Sequence, residues 1–126
     1  MCGLAHAGLL VRCLRRARDP INTKPIEDFH GTEEILRMKF LAISGSGRAA
    51  STNTAMLRAL AQVAHSDHEL TVFSGLTELP IFSPDLETGP LPTRVQSFVD
   101  QIAQSDCLII ASPEYVRAIP GGLKNA

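Results

Sequence analysis

The sequence predicts an α/β domain in which helices cover both faces of a parallel β-sheet. Three short apolar segments, at residues 38–44, 69–74 and 106–112, have the length and composition of buried strands. Between them lie segments whose apolar residues recur at helical spacing. Strands that alternate with helices along the chain form a parallel sheet wound on both faces.

Apolar periodicity and capping residues predict the helices. The first helix, over residues 52–65, has Ser51 or Thr52 as its expected N-cap and an apolar face formed by Met56, Leu57, Leu60 and Ala64. A second amphipathic helix is predicted from the spacing of Val95, Phe98, Val99 and Ile102. The proline-rich residues 75–92 predict a loop, and residues 121–126 predict the first turn of a third helix.

The first 37 residues differ in character from the rest of the chain. We interpret residues 1–37 as a non-core N-terminal extension and residues 38–126 as the domain, and one hypothesis takes Met38 as the true initiator. The extension shows no strand pattern, and short helices are predicted at residues 9–18 and 32–37.

Composition excludes several functional classes. A net charge of −1, the absence of Trp and a single Tyr argue against nucleic acid or an anionic membrane surface as a partner. No apolar run approaches the ~20 residues that a membrane-spanning helix needs. Cys2, Cys13 and Cys107 are widely spaced, which predicts no disulfide framework and no metal site. We expect Cys107 to be a small core residue and the compartment to be reducing, that is, the cytoplasm.

Residues 44–53, Ser-Gly-Ser-Gly-Arg-Ala-Ala-Ser-Thr-Asn, connect the first predicted strand to the first helix. The start of a helix offers unpaired N–H groups and a partial positive charge to an anion. Gly45 and Gly47 are expected to let the backbone turn sharply. Polar donors come from Ser46, Arg48, Ser51, Thr52 and Asn53. The loop lacks the dinucleotide and Walker patterns and favours a single terminal phosphate, with an ordinary Ser/Gly-rich turn as the alternative.

A second loop follows the third predicted strand, at residues 112–115, and leads into residues 119–126. Ligands of doubly wound sheets bind beyond the carboxyl ends of the strands, so both loops are expected at the same edge. The backbone held extended by Pro113 suits contact with the edge of a heterocycle, and Tyr115 could flank its ring.

At these motifs, residues 38–126 resemble the N-terminal portion of the NADPH-dependent FMN reductase family. The family signature Gly-Ser-x-Arg-x-x-Ser-x-Asn is matched by residues 45–53. The signature Ser-Pro-Glu-Tyr, followed by Pro-Gly-x-Leu-Lys-Asn-Ala, is matched by residues 112–115 and 120–126. The segment at residues 79–86 is also similar to a family segment, whereas Val116 replaces the asparagine that usually follows the tyrosine.

The resemblance implies a flavodoxin-like fold, here truncated after strand 3, with strand order 2-1-3 and with strand 3 at an open edge. It implies FMN as cofactor, with its phosphate bound by Ser46, Arg48, Ser51 and Asn53 and its ring bordered by Pro113, Glu114 and Tyr115. It implies hydride transfer from NADPH through FMN to a flavin, a quinone or a similar small-molecule acceptor, in a homo-oligomer. Arg117 is a candidate contact for the extra phosphate of NADPH or for an anionic acceptor. The alternatives are a non-catalytic fragment and a flavodoxin-type electron carrier.

Overall fold

The computed structural model describes residues 7–13 and 37–126, which form a four-stranded sheet with helices on both faces. The strands are β1 (Ala7–Cys13), β2 (Lys39–Ser44), β3 (Glu69–Phe73) and β4 (Cys107–Pro113), in the spatial order β1-β4-β2-β3. β2 pairs in parallel with β3 on one side and with β4 on the other. The predicted order 2-1-3 of the three parallel strands is therefore confirmed.

Three helices follow the predicted strands: α1 (Thr52–Ala64), α2 (Thr93–Ala103) and α3 (Gly121–Asn125). Ser51 is the N-cap of α1, which decides between the two residues that the sequence offered. The segment predicted as a loop contains two short 3₁₀ turns, at Leu76–Glu78 and Pro84–Glu87. Proline at the start of the second turn is compatible with such a turn because its missing N–H would have no partner there.

Two apolar clusters lie on opposite faces of the sheet. On one face Leu57 of α1 packs against Ala42, Ile109 and Ala111, whose mostly small side chains leave room for the helix. On the other face the buried residues are Leu41, Ile43, Leu76 and Phe98, the last of these from α2. Alternating residues of β2 thus serve both clusters, as expected for a strand covered on both sides.

The buried face of α1 differs from the predicted one. Leu57 is 0% exposed, but Met56 is 43% and Leu60 36% exposed. The helix instead buries Asn53 and Thr54 beside Leu57. The prediction was wrong for Met56 and Leu60. Polar side chains at the start of α1 form buried contacts, and the periodicity of apolar residues cannot predict the burial of polar side chains.

β1 is a strand in a region where the sequence predicted a helix. It pairs antiparallel with β4 along its whole length, from Ala7 opposite Pro113 to Cys13 opposite Cys107. The predicted helix at residues 9–18 is therefore wrong for residues 9–13, and the absence of a strand in the extension is wrong as well. Unpaired backbone groups along the edge of β4 provide hydrogen-bonding partners, and this non-local pairing overrides local helical preference.

The same pairing corrects the expectation that the third predicted strand forms an open edge, because β1 covers β4. Leu9, Leu10 and Val11 remain 54–58% exposed, so β1 contributes backbone pairing more than core packing.

Residues 14–36 lie outside the described residues, and so does nearly all of the helix predicted at residues 32–37. The domain boundary at residues 37 and 38 stays a prediction.

Candidate functional site

The loop after β2 lies against the end of β4. The Gly45 amide donates a hydrogen bond of 2.8 Å to the Ala111 carbonyl oxygen. A Cβ atom at Gly45 would lie 3.2 Å from that oxygen, and one at Gly47 would lie 2.6 Å from Thr77 Cγ2. Neither glycine has a positive φ. The two glycines are therefore needed for close approach between chain segments, rather than for the sharp turn that the sequence suggested.

The start of α1 has the features of an anion-binding helix terminus. The Ser51 hydroxyl oxygen accepts a hydrogen bond of 3.3 Å from the Thr54 amide. No acidic residue occupies the first turn of α1, so no carboxylate of the helix itself competes with an anion for its N–H groups. Ser46, Ser51 and Asn53 are buried at this end of the helix, while Arg48 and Thr52 are exposed.

Two strong donors at this loop have no partner in the part of the chain that the structure describes. Within residues 7–13 and 37–126, neither the Arg48 guanidinium nor the Asn53 side-chain amide forms a hydrogen bond or an ion pair. The Arg48 backbone amide donates to the Ser46 hydroxyl oxygen over 3.4 Å, which holds the loop in a compact conformation. The two side chains therefore remain available for an oxyanion, and the guanidinium has the geometry to bind two of its oxygens.

The structure brings the two predicted loops together. The Ser46 and Tyr115 hydroxyls lie 3.4 Å apart, within reach of a long hydrogen bond. Pro113 ends β4, and its carbonyl oxygen accepts a bond of 3.0 Å from the Ser112 hydroxyl. Glu114 and Tyr115 are exposed beyond it. A mixed polar and aromatic surface thus lies at the carboxyl ends of β2 and β4.

A strained turn follows Tyr115. Tyr115 and Ala118 exchange two backbone hydrogen bonds, of 2.9 and 3.0 Å, around Val116 and Arg117, whose φ angles are 52° and 60°. Positive φ at both central residues is characteristic of a type I′ turn. Sequence reasoning missed it because the usual signal is Asn-Gly or Asp-Gly, and a β-branched residue is unfavourable there.

Replacing Val116 with glycine is expected to stabilise the fold by about 0.5–1 kcal/mol, because glycine adopts a positive φ without steric strain. The Val116 side chain is 99% exposed, so its removal loses no packing. Urea unfolding measures the change. The matched control is Val63→Gly in α1, which is expected to lower stability by roughly 0.2–0.5 kcal/mol, because glycine is a poorer helix former than valine. Equal losses in both variants would show that the turn is unstrained.

An apolar groove adjoins the site, and sequence reasoning did not identify it. Asn125 joins its two sides: the side-chain amide donates to the Pro80 carbonyl oxygen over 2.9 Å, and the Asn125 side-chain oxygen accepts from the Phe82 amide over 2.8 Å. The groove has a volume of ≈ 680 Å³, and its lining includes Leu76, Leu79, Ile81, Phe82 and also Thr77, the residue that approaches Gly47. Its only sequence signal was the family-like segment at residues 79–86.

Two kinds of feature are absent from residues 7–13 and 37–126. No helix there combines the length and apolar character needed to cross a membrane. No group of three or more His, Cys, Asp or Glu side chains there is arranged to hold a metal ion. Cys107 is fully buried in β4, which confirms its prediction as a small core residue.

Comparison with known proteins finds several relatives, and the three given below are named as quinone reductases or quinone oxidoreductases. The chain is 31% identical over 91 residues to the quinone reductase of Escherichia coli K12, covering 71% of this chain and 48% of the relative. It is 38% identical over 91 residues to a 2-hydroxy-1,4-benzoquinone reductase of Burkholderia sp, covering 72% and 49%. It is 39% identical over 98 residues to the probable NADPH:quinone oxidoreductase 1 of rice (Oryza sativa subsp. japonica), covering 71% and 47%.

The chain spans about half the length of the curated relatives it matches. A sequence model of the NADPH-dependent FMN reductase family matches residues 38–126, which contain both loops of the candidate site and all three helices. The flavodoxin-like arrangement of β2, β3 and β4 is the fold that the resemblance implied. On the match to these residues and on the likeness to the reductases above, the chain belongs to the NADPH-dependent FMN reductase family.

Proposed function

We propose that this chain is part of an NADPH-dependent oxidoreductase that binds FMN and reduces a quinone or a flavin. The observation that carries the proposal is the loop over residues 45–53, which places Arg48 and Asn53, two donors without a partner among the described residues, at the start of α1. The family match and the names of the relatives support the reaction class.

The loop fits the phosphate of FMN. The cofactor-binding residues that we propose for this group are Ser46, Arg48, Ser51, Thr52 and Asn53. The Ser51 oxygen already accepts a bond from the Thr54 amide, so its hydroxyl hydrogen is free to donate to a phosphate oxygen. A partial positive charge at the start of α1 adds to the charge of Arg48, and the absence of carboxylates in the first helical turn preserves both.

The segment after β4 fits the ring of the same cofactor. We propose that the backbone of Pro113 and Glu114 contacts the edge of the ring and that Tyr115 borders it. FMN, when bound, supplies the hydride-transfer chemistry of the reaction, and the protein positions it and tunes it. Accordingly, Glu114 is assigned no role as a catalytic base, and the proposed contribution of these residues is to bind and orient.

A quinone is the acceptor that the surroundings of the site favour. The relatives in E. coli and Burkholderia are named as quinone reductases. The apolar groove next to Thr77 exposes Ile81 and Phe82, which suit an uncharged ring better than a charged acceptor. For the extra phosphate of NADPH, the exposed Arg117 remains the proposed contact.

The test is to purify the 126-residue chain, titrate it with FMN and then supply NADPH and a benzoquinone. We expect saturable FMN binding, seen as a change in flavin fluorescence, and NADPH oxidation that requires both FMN and the quinone. Failure to bind FMN would contradict the proposed site. Binding of FMN without NADPH oxidation would contradict the reductase assignment and favour the electron carrier.

The proposed function also includes a cellular compartment and an oligomeric state for the protein. We propose the cytoplasm, because the spacing of the cysteines predicts a reducing compartment. We also propose a homo-oligomer, because the family resemblance implies one. Light scattering on the purified protein measures the assembly, and fractionation of cells that express it measures the location.

A further inference from the structure

Two buried hydroxyl groups lie directly beneath the candidate phosphate loop. The Ser44 and Thr54 hydroxyl oxygens are 2.7 Å apart, a short hydrogen bond between the last residue of β2 and the first turn of α1. Both residues are buried, and Ser44 is fully so. Neither position belongs to the family signature at residues 45–53, and the Ser44 side chain has no exposed surface with which to touch a ligand.

Thr54 makes a second contact, with Ser51 at the end of the loop. Its backbone amide donates to the Ser51 hydroxyl oxygen, the N-cap of α1. One residue therefore joins the strand end that precedes the loop to the cap that follows it. The six residues 45–50 run between these two points, and their base is closed by side-chain contacts of Thr54 and Ser51.

A buried pair of hydroxyls such as Ser44 and Thr54 is not expected to be needed for stability alone. Replacing both members of a buried hydrogen bond with apolar groups of similar shape is often nearly neutral for stability. A directional bond between the end of β2 and the start of α1 instead restricts how the intervening backbone is oriented. The amides and hydroxyls of the loop must converge on one oxyanion, and such convergence depends on small displacements.

We infer that Ser44 and Thr54 form a clamp of positioning residues that holds the phosphate loop in its binding conformation. The clamp acts through residues 45–51 and has no contact with the ligand. This inference rests on the proposed function, because it takes the FMN phosphate as the group that the loop binds. The inference adds a requirement beyond the residues of the family signature. The loop binds phosphate well only while the Ser44 and Thr54 hydroxyls are hydrogen-bonded to each other.

The experiment compares FMN with riboflavin, which has the same ring and lacks the phosphate. Affinity for each flavin is measured by fluorescence titration in the wild type and in Thr54→Val, which keeps the shape of the side chain and removes the hydroxyl. We expect FMN affinity to fall about tenfold, the scale of one well-placed hydrogen bond, while riboflavin affinity stays unchanged. Thr54→Ser retains the hydroxyl and is expected to restore the preference for FMN.

The double variant Ser44→Ala/Thr54→Val separates positioning from folding. It leaves no buried hydroxyl without a partner, so its urea unfolding curve is expected to resemble that of the wild type. If this folded variant keeps the full preference for FMN, the clamp is overturned and the proposed function stands. If the wild type itself binds FMN and riboflavin equally, the phosphate assignment falls, and the clamp falls with it.

Discussion

Replacing Arg48 with alanine is expected to weaken FMN binding by about 1.5–3 kcal/mol, which corresponds to a roughly 10- to 150-fold higher Kd. The guanidinium is exposed, and its removal breaks no hydrogen bond or ion pair within residues 7–13 and 37–126. The whole loss would therefore come from the charge-assisted hydrogen bonds to the phosphate. Fluorescence titration with FMN measures this change.

The matched control is Arg58→Ala, which removes an exposed arginine from α1 beyond the first turn of the helix. Its FMN affinity is expected to equal that of the wild type, apart from a small long-range effect that salt removes. Riboflavin affinity is expected to be the same in all three proteins. An unchanged FMN affinity in Arg48→Ala, or an equal loss in Arg58→Ala, would refute the assignment of Arg48 to the phosphate.

Replacing Leu57 with alanine is expected to lower the free energy of unfolding by about 2–5 kcal/mol. Leu57 is the large side chain with which α1 reaches the sheet, and its neighbours Ala42 and Ala111 are too small to fill the space. Alanine would lose the burial energy of the side chain and leave a cavity between α1 and the sheet, whose surroundings relax only in part. Urea unfolding followed by circular dichroism measures the loss.

Leu60→Ala provides the control on the same helix, with the same chemical change at a side chain that is partly exposed. Its expected loss is about 1 kcal/mol or less, because water already reaches much of the side chain. Similar losses at both positions would contradict the orientation of α1 in this structure and would favour the face predicted from periodicity.

The order of the parallel strands and the positions of the helices could be predicted from the sequence. β2, β3 and β4 each differ from their predicted ranges by at most one residue at either end, and α1 begins where its capping residues indicated. These features depend on local patterns, namely short apolar runs, helical periodicity and hydroxyl residues at a helix start. The family motifs supplied the strand order, which is confirmed by the pairing of β2 with both neighbours.

The candidate site was predicted as two separate loops, and the structure shows how they meet. Ser46 and Tyr115 lie 69 positions apart in the chain, and their hydroxyls lie 3.4 Å apart. The assignment of the site residues to FMN stays a prediction that the Arg48 variant tests. The clamp at Ser44 and Thr54 was not foreseen, because a serine at a strand end and a threonine in a helix carry no sequence signal of their contact.

The sequence by itself determined the alternation of strands and helices and the two loops with the residue types that suit a flavin phosphate. Only the tertiary structure decided the conformation of residues 7–13, the buried face of α1 and the turn at Val116. The conformation of residues 7–13 depends on a contact between distant parts of the chain, the pairing of β1 with the edge of β4. The buried face of α1 depends on contacts with the sheet, among them the bond between Ser44 and Thr54, and the turn is closed by the backbone bonds between Tyr115 and Ala118. Local propensities are worth tenths of a kcal/mol to about 1 kcal/mol per residue, so non-local hydrogen bonds and packing override them wherever the two conflict.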